Sequence, residues 1–434
     1  MSSSLKSILH EPVFQNLRHA SGRHGLRESD TVHMSGSAIT DLPARPVAPP
    51  TLAVLVAISA MQPLTMNVLV PAMPGLAKYF GVDYSTVQLT LMLYLIGVAL
   101  SQLVAGPISD RVGRRPVLLW SLGIYVLGGM LAAAASSILT VIVARVLQAF
   151  GAGTTFALAR AVVRDTCDRD QAASRLGYVS AVTVLGSMVA PLVGGAIDQD
   201  FGWRSIFGVS AVFGVAISAL TFAALRETNL VPAKSFTLAP ILRSFPVLLS
   251  DRSFTVHAAV MCLASGTMFC FISGAPYIVV EVMKRTPEVY GAYYLIGATG
   301  FMAGTFLAGR WSRGLGSERL ILAGTLLSLM GIIAAIVATS IWPLSPLALF
   351  LPQFAVTCGN GMTLPNATAG ALSARQEIAG AAAGVAGAIQ IGSGAIFSMV
   401  ASFLVTLWSP SVLVLMLLCA ATSTSLFRLM RRRW

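Results

Sequence analysis

Charge is scarce in this sequence. Of 434 residues, 11% are Asp, Glu, Lys or Arg, against roughly 25% in an ordinary soluble domain. The shortage excludes a normal soluble enzyme, whose surface needs charge to cover it. Cysteine is also sparse. Cys167, Cys262, Cys270, Cys358 and Cys419 form no CxxC pair and no Cys/His cluster, so neither a disulfide framework nor a zinc site is indicated. No Walker A string and no GxGxxG fingerprint occurs, which argues against ATP drive by this chain alone. No cofactor is expected. Residues 1–50 are polar and lack an apolar core of the signal-peptide kind, so a cleavable leader is not expected there.

What is abundant is apolar. Hydrophobic residues make up 56% of the chain. From residue 51 onward they gather into twelve segments, each long enough to cross roughly 30 Å of hydrocarbon as a helix. The expected spans are 52–73, 87–109, 116–136, 138–160, 175–198, 203–225, 253–280, 288–309, 319–340, 344–366, 379–405 and 409–428. The fold class expected is an all-α polytopic membrane protein. Glycine, with 39 copies, would disrupt helices in water but lets them approach closely in a bilayer.

The net charge of +12 does not point to nucleic acid, because the basic residues flank apolar spans rather than one polar face. They read as topology signals. One set of connections holds 24 Lys and Arg residues and the opposite set holds four. That bias places both termini in the cytoplasm, and an even number of spans agrees with it. The longest internal connection, 226–252, divides the chain six plus six. The expected organisation is a polar cytoplasmic tail (1–50), an N-terminal six-helix bundle (51–225), a cytoplasmic linker (226–252), a C-terminal bundle (253–428) and a basic tail (429–434). Gly106, Gly113 and Arg114 after span two are echoed by Gly309, Gly316 and Arg319 after span eight. Two related bundles with a site between them at mid-membrane would follow.

Three stretches and one scattered set of residues carry chemistry. GPISDRVGRRP at 106–116 sets Gly106 for close helix packing, Asp110 as a carboxylate at the membrane face, Arg111, Arg114 and Arg115 within reach of it, and Gly113 for a tight turn. It is either a charged latch between the bundles or a turn bearing positive-inside arginines. In span four, Arg145 is the one basic residue inside a span away from its ends. Such a residue is costly and marks function by default. Gln148 shares its helix face, and a structural Arg bonded to backbone carbonyls is the alternative. GSMVAPLVGG at 186–195 places Pro191 among Gly186, Gly194 and Gly195, which bends a helix and permits close contact. A soft pocket is expected from Met61, Met66, Asn67, Tyr94, Met268, Phe269, Phe271, Asn360 and Gln390, suited to loose recognition of hydrophobic molecules; the same Met and Phe residues would also serve ordinary packing. No Asp or Glu lies deep in any span, which disfavours compact cationic substrates. His257 could titrate near neutral pH or be structural.

The 106–116 string resembles the signature loop of the major facilitator superfamily. Arg145, Gln148 and Gly151 match that family's span-four Arg motif, implicated in proton transfer, and 186–195 resembles the motif of its drug:proton antiporters. QPLTMNVLVPAMP (62–74), ARAVVRD (159–165), GNGMTLPNATAGAL (359–372) and AGAAAGVAGAIQIGSGA (379–395) look like the bicyclomycin/chloramphenicol-resistance (Bcr/CflA) branch. The resemblance runs from about residue 52 to the last span. It implies two six-helix bundles and, in the inner membrane, a monomeric exporter of small hydrophobic compounds, with protons as counter-substrate. It also implies a cytoplasmic pair between Arg160 and Asp165, and a C-terminal half of the path lined by Pro365, Asn366 and Gln390. The branch has an acidic residue where this chain has Asn67, and Asn cannot titrate. A specific metabolite facilitator or importer of the same fold is the second reading. A membrane-embedded enzyme would need a nucleophile–base pair or metal ligands that the spans do not supply, and a channel would need a ring of like charges.

Overall fold

The computed structural model describes residues 50–167, 169–229, 239–374 and 379–431. The expected tail 1–50 (save Pro50), the middle of the linker and the last three residues of the basic tail lie outside the described residues. Among the described residues every regular element is helical: α1 (Leu52–Val68), α2 (Met73–Phe80), α3 (Tyr84–Val112), α4 (Arg114–Ala133), α5 (Ile138–Thr166), α6 (Arg169–Phe201), α7 (Trp203–Ala224), α8 (Ala239–Ser250), α9 (Arg252–Tyr277), α10 (Pro287–Leu315), α11 (Ser317–Ile341), α12 (Pro346–Ser373), α13 (Ala379–Leu407) and α14 (Ser411–Arg431).

The helices begin and end for local reasons. Ser137 and Asp251 accept the backbone N–H of Thr140 and Phe254 at 3.2 and 3.0 Å, satisfying donors that an N-terminus leaves free. Pro287 and Pro346 open α10 and α12, where a missing N–H costs nothing. A 3-10 turn at Val70–Ala72 joins α1 to α2, since Pro71 and Pro74 cannot donate to the ladder. A π turn at Ile278–Val282 ends α9. The linker expected at 226–252 contains α8, which packs on α13 and α9.

Among the described residues eleven helices are long and apolar enough to cross a membrane. The twelfth, α10, is as long at 29 residues but carries six glycines and three tyrosines, which lower its hydropathy. Its surroundings explain the tolerance, because it packs against α12 and α6. Outward-facing Trp120, Val212 and Phe306 are each more than 70% exposed; in water they would form apolar patches, in lipid they meet their own kind.

The packing repeats. α5 lies against α3, α4 and α1, and α12 lies against α10, α11 and α9. α4 packs on α7 as α11 does on α14; α6 crosses to α10 as α13 crosses to α3. This is the arrangement of two six-helix halves that the resemblance implies. Glycines fix the register. Gly151 of α5 faces Ser121 and Tyr125 of α4, while Gly359 of α12 faces Gly324 and Ser328 of α11. Gly97 of α3 faces Val146 and Ala149, while Gly300 of α10 faces Phe354 and Thr357. The numbers differ by 203 between α3/α4 and α10/α11 (300 − 97) and by 208 between α5 and α12 (359 − 151). The turns repeat too: Gly113 has φ 107° and ψ 151°, Gly316 φ 79° and ψ 151°, a left-handed region that favours glycine.

Candidate functional site

Arg145 stands seven residues into α5 (145 − 138) and is 1% exposed. Its Nη1 donates to the Thr65 carbonyl of α1 at 3.1 Å and to Gln148 Oε1 at 3.2 Å. Its guanidinium carbon lies 4.1 Å from the centre of the Tyr94 ring of α3, a cation–π contact. Nε and Nη2 have no protein partner, and neither does Gln148 Nε2. Among the described residues no carboxylate pairs with Arg145. Two tyrosines hold the cluster rigid: Tyr94 donates to the Gln62 carbonyl at 3.0 Å, and Tyr125 meets Thr65 Oγ1 at 2.7 Å while that hydroxyl donates to the Met61 carbonyl. A buried guanidinium without a counter-charge repels cations and favours ligands with an acceptor.

Asn67 sits near the end of α1, its Nδ2 donating to the Pro63 carbonyl of its own helix at 2.8 Å and its Oδ1 buried without a partner. In the other half, Asn360 Nδ2 donates to Thr267 Oγ1 at 2.9 Å and Gln390 Nε2 to Ser265 Oγ at 2.9 Å. Both tie α9 to its neighbours. Asn366 bonds the Met362 carbonyl of its own helix. Met268 and Phe271 line a cavity between α9, α10 and α12. The other expected pocket residues serve packing: Met61 lies in the core of the N-terminal half, Met66 belongs to a core continuous across both halves, and the Phe269 ring fills the space over Gly394 of α13. Pro365 is exposed. His257 Nδ1 donates to the Ser253 carbonyl of its own helix at 2.8 Å, and the Phe427 ring and Gly370 lie against the imidazole.

The arginine-rich turn differs from expectation in three respects. First, its ion pairs close within the N-terminal half: Arg114 binds Asp110 at 2.6 Å and Asp165 of α5 at 2.9 Å. Arg115 donates to the Phe222 carbonyl of α7, with its guanidinium 5.0 Å from that ring. Arg111, like Asp110, lies at the end of α3. Among the described residues the turn thus braces α3, α4, α5 and α7, and its ion pairs and hydrogen bonds stay within that half. Second, Asp165 takes Arg114 and not Arg160, whose guanidinium lies over the Phe156 ring at 4.3 Å. Residues five apart on a helix point about 140° away from one another, so the 160/165 pair cannot close. Third, among the described residues a Cβ on Gly106 would meet nothing within 4 Å, so the close packing expected of this glycine is not seen among them.

Sequence reasoning missed Glu227. Its carboxylate accepts the backbone N–H of Arg114 (2.8 Å), Arg115 (3.1 Å), Thr228 (3.0 Å) and Asn229 (2.9 Å), so it caps α4 from the segment after α7. Asn229 Nδ2 donates to the Asp110 carbonyl at 2.7 Å. A Cβ on Gly113 would lie 2.6 Å from Glu227 Oε2, which explains the glycine twice over. The readable signal was an acid followed by Thr and Asn just beyond span six. Glu227→Ala should cost about 1–2 kcal/mol, as loss of a helix cap does. Purified protein should melt several degrees lower and be cut faster by trypsin at Arg226; equal melting and cutting would remove the clamp role.

The antiporter-like stretch lies where the halves meet. A Cβ on Gly194 would fall 1.8 Å from the Val68 carbonyl oxygen of α1, and one on Gly195 2.7 Å from that of Pro287. From the other side, a Cβ on Gly291 of α10 would lie 2.5 Å from the Pro191 carbonyl oxygen. Gly186 has Leu64 against it at 3.2 Å. α6 runs through Pro191 as one helix. At this same end, remote from the arginine-rich turn, Tyr84 Oη and Gln88 Nε2 of α3 donate to the Ser273 carbonyl of α9 at 2.7 and 3.2 Å. Lys78 of α2 pairs with Glu281 at 2.9 Å.

The profile of the Major Facilitator Superfamily matches residues 55–399. A chloramphenicol resistance protein of Pseudomonas aeruginosa is 31% identical over 73% of this chain and 75% of its own. A bicyclomycin resistance protein homolog of Haemophilus influenzae is 27% identical over 80% of this chain and 87% of its own. The crystal structure of an auto-inhibited POT family peptide transporter superposes with a TM-score of 0.66 at 15% identity, covering 88% of this chain and 97% of that one, a likeness of fold.

Proposed function

The chain belongs to the Major Facilitator Superfamily and is a membrane transporter, not an enzyme, and from that premise we propose that it is a multidrug exporter of the bacterial inner membrane. It moves small hydrophobic compounds outward in exchange for protons, as a monomer, by rocking residues 51–225 against 253–428 about a site between them. Both termini and the linker 226–252 face the cytoplasm, by the distribution of Lys and Arg. Arg145, Gln148 and Asn67 stand on the path; Asp110, Arg111, Arg114, Arg115 and Asp165 brace its cytoplasmic end.

The observation that carries this reading is the seam of Pro191, Gly194 and Gly195 against α1 and α10. Backbone meets backbone there, so no side chain leaves room for a file of water. An exchanger that spends a gradient on uphill export needs such a seal. The relatives named for chloramphenicol and bicyclomycin resistance support the substrate class. The acceptor-seeking Arg145 favours neutral or weakly anionic compounds over cations.

Drug efflux from inverted vesicles, with and without a proton uncoupler, tests the reading. Uncoupler-sensitive accumulation of chloramphenicol-like compounds is expected; transport that ignores the uncoupler would overturn the exchange. One observation favours the second reading, a facilitator: Asn67 carries a neutral amide bonded within its own helix. If coupling at this position was lost, Asn67→Asp should raise proton-driven export of lipophilic cations about tenfold. Unchanged cation export would place residue 67 off the path.

A further inference from the structure

The glycine contacts of α3–α5 repeat in register in α10–α12, so Arg145 and Tyr94 each have a counterpart. Adding 208 to Arg145 gives Gln353, which also stands seven residues into its helix (353 − 346). Adding 203 to Tyr94 gives Gly297. The counterparts meet as the originals do, since a Cβ on Gly297 would lie 3.3 Å from Gln353 Cγ and 3.6 Å from Thr357 Cγ2. Where the N-terminal half has a tyrosine ring over a guanidinium, the C-terminal half has a glycine facing an amide. The ring is missing, and its place is the cavity that Met268, Phe271, Tyr294, Phe301, Gln353 and Thr357 surround. Gln353 is 2% exposed, and its Oε1 has no hydrogen-bond partner. A buried polar atom left so costs free energy unless something binds it.

We propose that this cavity between α9, α10 and α12 is a ligand subsite that takes one neutral aromatic ring bearing a hydroxyl, seated where Tyr94 sits in the other half and bonded to Gln353. The chemistry of the lining sets the class. Phe271, Tyr294 and Phe301 offer ring edges and faces, and Met268 offers a polarisable sulfur. No charged side chain lines the cavity, so an ammonium or carboxylate would be stripped of water without compensation. The amide is the single specific anchor, and it discriminates a phenol from the same ring without its hydroxyl. The position deepens the exporter reading and rests on it for its part in transport: one half contributes a fixed charge and its own ring, the other an empty ring slot.

The test is saturable binding of 4-fluorophenol to the purified full chain in lipid nanodiscs, read by fluorine NMR without any gradient. One site per chain is expected, with 4-fluorotoluene and 4-fluorobenzylammonium each binding at least about tenfold more weakly. Gln353→Leu, which keeps the volume and removes the anchor, should weaken 4-fluorophenol about tenfold and leave 4-fluorotoluene unchanged. Gly297→Phe should abolish binding by refilling the slot. Should that variant fail to fold, Phe301→Ala serves in its place, loosening the slot and weakening both rings alike. No saturable site, or 4-fluorophenol binding that Gln353→Leu does not move, would overturn the subsite. Export that fails in vesicles while this binding persists would instead sink the exporter reading and leave the subsite standing.

Discussion

Arg145→Leu should lower transport at least about a hundredfold and leave the purified protein as heat-stable as before, or more so. The two halves of that expectation come from one geometry. The guanidinium is buried, keeps two hydrogen bonds and one ring face, and has two nitrogens without protein partners. Two bonds and a cation–π contact contribute a few kcal/mol, while desolvating an ion without a counter-charge costs several. A leucine removes both terms and fills most of the space. Stability retained where function fails is the mark of a residue kept for its work. Arg145→Lys should not rescue, because an ammonium cannot reproduce the planar fork that reaches Thr65 and Gln148 while stacking on Tyr94. A variant that loses both transport and several degrees of melting temperature would make Arg145 a structural residue. One that still transports would take it off the path.

Gly194→Ala should lower the melting temperature by several degrees and reduce transport with it. Its new methyl group would fall on the Val68 carbonyl oxygen, at 1.8 Å, and backbone cannot swing aside as a side chain can. α1 and α6 must separate, at a cost of about 1–3 kcal/mol for overpacking. Gly208→Ala is the control. Its methyl group meets nothing within 4 Å, and the helix propensity gained is worth up to about 1 kcal/mol. Equal melting of the two variants would mean that the 186–195 stretch is not a close seam. Gly195→Ala makes a sharper comparison, since its methyl group strikes α10 of the other half. It should slow turnover more than it lowers stability, because that contact joins parts that must move.

Much of this was legible beforehand. Apolar runs of membrane length gave the spans, because lipid forces each segment to satisfy its own backbone. Arg145 stood out for the same reason, as a charge where charge is expensive. What the sequence did not disclose were contacts that depend on register. The Gly113/Gly316 echo was visible, but the correspondence of Arg145 with Gln353 was not: α11 has 25 residues and α4 has 20, so the offset slips by five midway. Glu227 was missed because a cap supplied from a distant segment leaves no local pattern. The Arg160–Asp165 pair came with the resemblance, and here Asp165 takes Arg114 instead, because residues five apart on one helix do not share a face. Nothing in one sequence says which glycines have a neighbour, and among the described residues Gly106 has none within 4 Å.

The ties at the end remote from the arginine-rich turn also set a cost on opening there. A half-exposed ion pair such as Lys78–Glu281 is worth about 1 kcal/mol, and each hydrogen bond onto the Ser273 carbonyl about 1 kcal/mol. Together they oppose opening of that face by about 2–3 kcal/mol, against whatever contacts the opened arrangement makes in return. Opening at that side must break these ties. A cargo can offset what remains of that cost only by gripping the opened arrangement more tightly, so weakly held compounds will be bound without being carried. Loosening Lys78 or Gln88 would widen the range of cargo by lowering that threshold.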